Sequence, residues 1–162
     1  MNNKSADEVW KPFKTLEFVP FRDASYGACS YECTILDCLR GLEYAMKLGW
    51  FDFKKFNVTE YDHYEKVENG DLNWIIPNKF IAFSSPSDKK KDENGVAYFT
   101  PKDYLGIFKK LGVEGVIRLN TITYNKDDFV NNGINHHDMY FTDGTSPPRE
   151  IVKKFLDITE AS

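Results

Sequence analysis

Apolar residues fall at helical spacing in three stretches of the chain. Ile35, Leu36, Leu39, Leu42, Ala45 and Met46 line one side of a helix expected over 34–48, and Gly49 stands where a left-handed residue closes such a helix. Thr100-Pro101-Lys102-Asp103 is a helix start: an N-cap threonine, proline in the first turn, an acid at the third position. Tyr104, Leu105, Phe108 and Leu111 form its buried stripe, and Gly112 ends it. Ile151, Val152, Phe155, Leu156 and Ile158 are the apolar face of a last helix. Two weaker helices are expected. One covers Asn125 to Val130, before Gly133. The other is polar and runs from Thr59 to about Glu68, where Asn69-Gly70 stops it. Thr59 with Asp62 three residues on resembles a capping box. So few apolar residues suit a helix lying between larger bodies of a fold.

Extended segments alternate with these helices. They are expected at Leu16 to Phe21, at Trp74 to Phe83 in two pieces around Pro77-Asn78, at Val113 to Leu119 and at Ile134 to Phe141. Trp50, Phe51, Phe53 and Phe56 read as a packing cluster. Strand and helix alternating through the second half predict an α/β layer structure, with a mostly parallel sheet flanked by helices. The sequence stops on an amphipathic helix that should feed another buried strand. The expectation is therefore an incomplete architecture, a piece of something longer.

Composition narrows the classes. Hydrophobic residues at 41% and charged residues at 28% are globular values, and an aromatic share of 15% is enough for a sizeable core. Apolar runs are far shorter than the ~20 residues of a membrane helix, so no membrane partner is expected. The polar stretch from Met1 to Glu8 contains no secretory h-region. A net charge of −4 makes a poor general binder of phosphate backbones, so no nucleic-acid partner is expected. Cys29, Cys33 and Cys38 are odd in number and clustered, which points to a reducing, intracellular compartment, cytoplasmic or nuclear. The run Asp88 to Glu93 partly neutralises itself and reads as a solvated loop.

Several side chains could carry chemistry. A phosphatase-type thiolate needs an Arg six positions after the Cys; Ile35, Leu39 and Tyr44 stand there instead, so the cysteines read as packing residues beside the first helix. They show no zinc-like pairing. His136 and His137 point to opposite faces of a strand and cannot chelate one ion together, so no metal is expected despite the adjacent Asp138. His63 reads as solvated. Asp62, Glu65 and Glu68 recur every third residue and would share one helix face, within a segment of five acids and one base between Glu60 and Asp71. Such repulsion could be relieved by a cationic ligand, but from the residues alone a solvated face is the expected reading. Asp143 ends a strand in a Gly/Ser/Pro loop before a helix, at the edge where open α/β sheets bind ligands. A carboxylic acid there can protonate a leaving oxygen; an Asp-Gly pair is also an ordinary turn.

Longer motifs carry a resemblance. Phe21-Arg22-Asp23-Ala24-Ser25-Tyr26-Gly27, Thr34-Ile35-Leu36-Asp37-Cys38-Leu39, and the run Tyr64 to Trp74 closely resemble dual-specificity phosphatases of the mitotic-exit, cell-division-cycle fourteen type. So do Lys79 to Ser84, Arg118-Leu119-Asn120 and Phe141-Thr142-Asp143-Gly144-Thr145-Ser146-Pro147. The likeness is collinear from Thr15 onward. It implies a tandem arrangement: 1–54 as the C-terminal part of a non-catalytic phosphatase-like domain, 55–69 as a linker helix, and 70–162 as the N-terminal part of a catalytic domain.

It also implies the chemistry. A Cys thiolate attacks phosphorus, an Arg clamps the oxygens, and an Asp protonates the leaving group and then activates water, with no cofactor. Asp143 aligns with that general acid/base. Asp62 and Glu65 align with linker-helix acids lining a groove that prefers phosphoserine, then Pro, then a basic residue. The phosphate loop of the family lies beyond these 162 residues, so the chain by itself is expected to be inactive. The alternative is a non-catalytic module that binds basic peptides through the acidic face.

Overall fold

The computed structural model describes residues 4–161. The chain divides into two units, Met1–Asn57 and Val58–Ser162.

The first unit begins with a helix that the hydrophobic pattern did not announce. Ser5 and Glu8 exchange hydrogen bonds in a capping box, which starts α1 (Ala6–Trp10). Ala6 is fully buried, and its N–H donates to Glu43 Oε2 at 2.9 Å. Arg40 pairs with Asp7 at 2.9 Å. Both partners lie on α2 (Ile35–Lys47), which fills the expected span. Thr34 caps it in a reciprocal box with Asp37, and Gly49 takes φ 73° just past its end.

Extended structure here is sparser than expected. Strand β1 is only Phe21–Arg22 and pairs antiparallel with β2 (Glu32–Cys33). The loop between them is held from inside by Asp23. Its carboxylate accepts from the Ser25 and Ser30 hydroxyls, and from the N–H groups of Ser30 at 2.8 Å and Tyr31 at 2.9 Å. Those bonds, the Ser25 hydroxyl first, hold the carboxyl well below the usual carboxylate range. The expected aromatic cluster forms only in part. Phe51 and Phe56 meet at 5.7 Å, but Phe56 is itself exposed, as are Trp50 and Phe53.

The second unit contains the larger core. After α3 (Val58–Tyr64) and one 3-10 turn at Val67–Asn69 come β3 (Leu72–Ile76) and β4 (Phe80–Phe83). These strands form an antiparallel hairpin, with Asn78 at φ 59° in its turn. Helix α4 (Pro101–Leu111) starts on the Thr100–Asp103 box and ends at Gly112, φ 71°. The parallel pair β5 (Gly115–Arg118) and β6 (Asn135–Asp138) is joined through α5 (Asp127–Val130). Helix α6 (Arg149–Glu160) follows. Its Phe155 stacks on Phe80 at 5.7 Å, while Val152 and Leu156 stay exposed.

Aromatic rings make the core. Phe108 lies against Phe83 at 5.1 Å, Tyr104 at 5.2 Å and Phe129 at 5.8 Å. Leu72, Val116 and Ile134 close round them. The Tyr104 hydroxyl, inside this core, donates to the Gly70 carbonyl at 2.8 Å and lies 3.1 Å from that of Ser84. Burial raises the phenol above its ordinary value.

Two expectations need correction. The architecture is mixed α/β, but no mostly parallel sheet is present among the described residues. There are three two-stranded sheets, and only β5–β6 is parallel. The turn between β3 and β4 is the reason: a connection that short can return the chain only antiparallel. The polar helix is also shorter than expected. Thr59 lies inside α3 and is not its cap, and the helix stops at Tyr64. Asn69 Nδ2 donates to the His63 carbonyl at 2.8 Å, supplying the helix end with a partner from four residues past Glu65.

Candidate functional site

The ladder between β5 and β6 carries the backbone to Asp143. Beyond the strands proper, Met139 N–H donates to Arg118 O at 2.9 Å and Phe141 N–H to Leu119 O at 3.2 Å. The chain then turns. Thr145 N–H reaches Thr142 O at 3.2 Å, with Gly144 at φ 72°, the left-handed value that the third residue of a type II turn requires. Asp143 is therefore at the turn's crest, exposed, with Oδ1 accepting the Gly144 N–H at 2.8 Å. Pro147 and Pro148 lead on into α6.

The two strands that lead to this loop carry a polar network that spacing alone did not reveal. The Arg118 side chain is only 3% exposed, and its Nε donates to Asp138 Oδ1 at 2.7 Å. An Nη1 hydrogen goes to the Tyr124 carbonyl at 2.8 Å, and the guanidinium carbon lies 4.6 Å from the centre of the Tyr124 ring. The Arg118 hydrogen bond, chiefly, holds the Asp138 carboxyl below its ordinary value. Burial pushes the Tyr124 phenol up to about 12. Its hydroxyl sits 2.8 Å from His136 Nε2. His136 stacks on Phe129 at 6.2 Å, and its Nδ1 is buried without a partner. The signal that could have exposed this network is an Arg at a core-facing strand position, two residues after Val116.

His136, His137 and Asp138 are not gathered into one site. His136 serves Tyr124, and Asp138 serves Arg118. Burial lowers the His136 pKa first of all, so folding favours the neutral ring. A depressed native pKa means that the unfolded chain binds the proton more readily. The stabilisation is present above about pH 6.5 and is lost as pH falls through the lower native value. Urea midpoints measured from pH 7.5 to 5 should fall towards acid, and His136→Gln should flatten that slope. An unchanged slope in the variant would remove His136 as its source.

The acidic segment is brought together less tidily than a helix face. Asp62 is on α3, Glu65 is in the turn after it, and Glu68 is in the 3-10 turn. All three are exposed, and none forms an ion pair among the described residues. Tyr64, between them, is buried, and Lys110 of α4 holds it: Nζ is 3.2 Å from the phenol oxygen and 5.6 Å from the ring centre. His63 is exposed, its ring edge-on to Tyr64 at 4.9 Å. No described helix is long and apolar enough to cross a membrane.

The cysteines also differ from expectation, since none is buried. Cys29 and Cys33 are half-buried and Cys38 is exposed. Cys33 and Cys38 place their sulfurs 3.6 Å apart.

Comparison with known proteins agrees with these motifs. Residues 1–45 match the family described as "Dual specificity protein phosphatase, N-terminal half". The chain is 50% identical over 143 residues, 88% of its length, to human dual specificity protein phosphatase CDC14A. It is 46% identical over 162 residues to CDC14AB of Danio rerio, and 43% identical over 159 residues to the tyrosine-protein phosphatase cdc-14 of Caenorhabditis elegans. Over this span the chain is similar to the CDC14-type dual-specificity phosphatases. It spans about a quarter of the length of these relatives: 24%, 26% and 22% respectively.

Proposed function

We propose that these residues supply the proton donor and the substrate-selecting ridge of a Cys-dependent dual-specificity protein phosphatase. The observation that carries the reading is the 50% identity with CDC14A over 143 residues. In this reading 1–54 belongs to a non-catalytic phosphatase-like domain, 55–69 links the domains, and 70–162 opens the catalytic one. Asp143 protonates the leaving hydroxyl and then takes a proton from water. Its exposure at the crest of an anchored turn suits that duty. Asp62 and Glu65 attract the basic residue that follows a phosphoserine-Pro pair, and their exposed carboxylates lack an internal cation.

None of Cys29, Cys33 and Cys38 is followed six residues later by Arg, so the 162 residues hold no thiolate with its phosphate clamp. On an aryl phosphate the isolated chain should show no turnover sensitive to thiol alkylation. A phosphoserine-Pro peptide with a nearby Lys should bind at low ionic strength and weaken as salt rises. Asp62→Lys with Glu65→Lys should abolish that binding. Turnover by the chain itself defeats the assignment of inactivity. Binding that survives the double reversal defeats the ridge.

A second reading is a module that holds basic peptides without chemistry, favoured by the same unpaired acids. The two separate on the phosphate. Equal affinity for the phosphorylated and unphosphorylated peptides supports the module, and tighter binding of the phosphorylated one supports the phosphatase reading.

A further inference from the structure

Cys33 and Cys38 bracket the start of α2 in a way that their roles as packing residues do not exhaust. With Thr34 as N-cap and Asp37 at the third helical position, Cys33 is the residue before the cap and Cys38 the fourth of the helix. In many helices apolar side chains at these two places meet and fix the entry angle of the chain. Here the two residues that meet are thiols. Their sulfurs are 3.6 Å apart, so about 1.5 Å of approach would bring them to the ~2.05 Å of a disulfide. Cys38 is exposed, so a small oxidant can reach it, and Cys33 is half-buried behind it. Cys29 is engaged elsewhere, its sulfur 3.1 Å from the Tyr31 carbonyl.

We propose that Cys33 and Cys38 form a reversible redox pair, which a hydroperoxide closes into a disulfide clasping the start of α2. The Cys38 thiolate attacks the outer oxygen of the peroxide. The O–O bond breaks, the alkoxide or hydroxide fragment leaves and takes up the Cys38 proton, and Cys38 becomes a sulfenic acid. The Cys33 sulfur then attacks the Cys38 sulfur. The S–S bond forms, the S–O bond breaks, and hydroxide leaves with the Cys33 proton as water. Two thiols are oxidised by two electrons, and one peroxide is reduced to an alcohol (or water) plus water. The hydrogen bond to Cys38, first among its surroundings, raises the Cys33 thiol above its ordinary value. The exposure of Cys38 suits it as the attacker, and half-buried Cys33 is the resolving thiol. In a reducing compartment such a bond is transient, as a sensor requires. The pair takes no part in phosphoryl transfer and does not depend on the proposed function.

The test is peptide mapping of the full chain after hydrogen peroxide, with the remaining thiols alkylated before digestion. The expected product has lost two hydrogens, carries a Cys33–Cys38 crosslink with Cys29 alkylated, and regains both thiols with dithiothreitol. Cys29→Ser should still form the crosslink. Cys33→Ser should lose it and leave Cys38 as a trappable sulfenic acid. Backbone amides at Ile35 to Asp37 should exchange more slowly in the oxidised chain. A crosslink through Cys29, a purely intermolecular disulfide, or alkylation of both Cys33 and Cys38 after peroxide would overturn the pair. Unchanged exchange in the first turn of α2 would overturn the clasp.

Discussion

Phe108→Ala should lower the stability of the second unit by about 3–5 kcal/mol, the usual cost of truncating a buried phenylalanine. Phe108 is 1% exposed and meets three rings at once: Phe83 edge-on at 89°, and Tyr104 and Phe129 nearly stacked at 29° and 20°. Each neighbour comes from a different element (β4, α4 and α5), so the void cannot close by moving one side chain. Domains of this size have about 5–15 kcal/mol to lose, so the change removes a large share. Trp74, the only tryptophan of this unit, gives a local fluorescence signal in urea. Leu156→Ala is the control. That side chain is 46% exposed, and its loss should shift the midpoint far less. Equal midpoints for the two variants would show that the aromatic stack does not hold this unit together.

Asp143→Asn should cost about 10²–10⁴-fold in kcat, the range attributed to general acid catalysis, in a phosphatase that provides the missing thiolate and clamp. A suitable protein is human CDC14A carrying this chain in place of its matching 143-residue stretch. Asparagine keeps an oxygen to accept the Gly144 N–H, so the turn persists while the transferable proton is lost. The effect should therefore depend on the substrate. A phosphoserine peptide has a basic alkoxide leaving group and needs the proton. A nitrophenyl phosphate leaves as a weak base and needs it less, so its rate should fall less. Equal losses on both substrates would mean that Asp143 acts through structure and not as the acid.

Much of the helical content was legible, for local reasons. Thr34 with Asp37, Thr100 with Asp103, and the glycines at 49 and 112 are short-range signals, and the helices obey them. Helix α1 has an equally local signal in Ser5 and Glu8, but too few apolar residues to draw attention by periodicity. The polar helix failed for the opposite reason. Its three-residue acid spacing continues past Tyr64, but the helix stops there, where Tyr64 is buried and Asn69, six residues after His63, folds back to bond its carbonyl. Sheet pairing was not legible, because it depends on contacts between β1 and β2 or β5 and β6 that no local pattern encodes. At the candidate site, Asp143 could be picked out from its loop chemistry. The Arg118–Asp138–Tyr124–His136 network could not, because its members come from three separate places in the chain: β5, the loop after it, and β6.

The Tyr104 hydroxyl has a further consequence. Through the Gly70 carbonyl it fastens the end of the acidic segment to the interior, and an added methyl at Gly70 would come within 3.2 Å of Ile107 Cδ1. Lys110 grips Tyr64 from the same helix. The acidic segment is thus tied to α4 at two points, through buried Tyr104 and exposed Lys110. Replacing the exposed acids leaves both ties intact, whereas inserting or deleting a residue between Tyr64 and Gly70 has to break one of them.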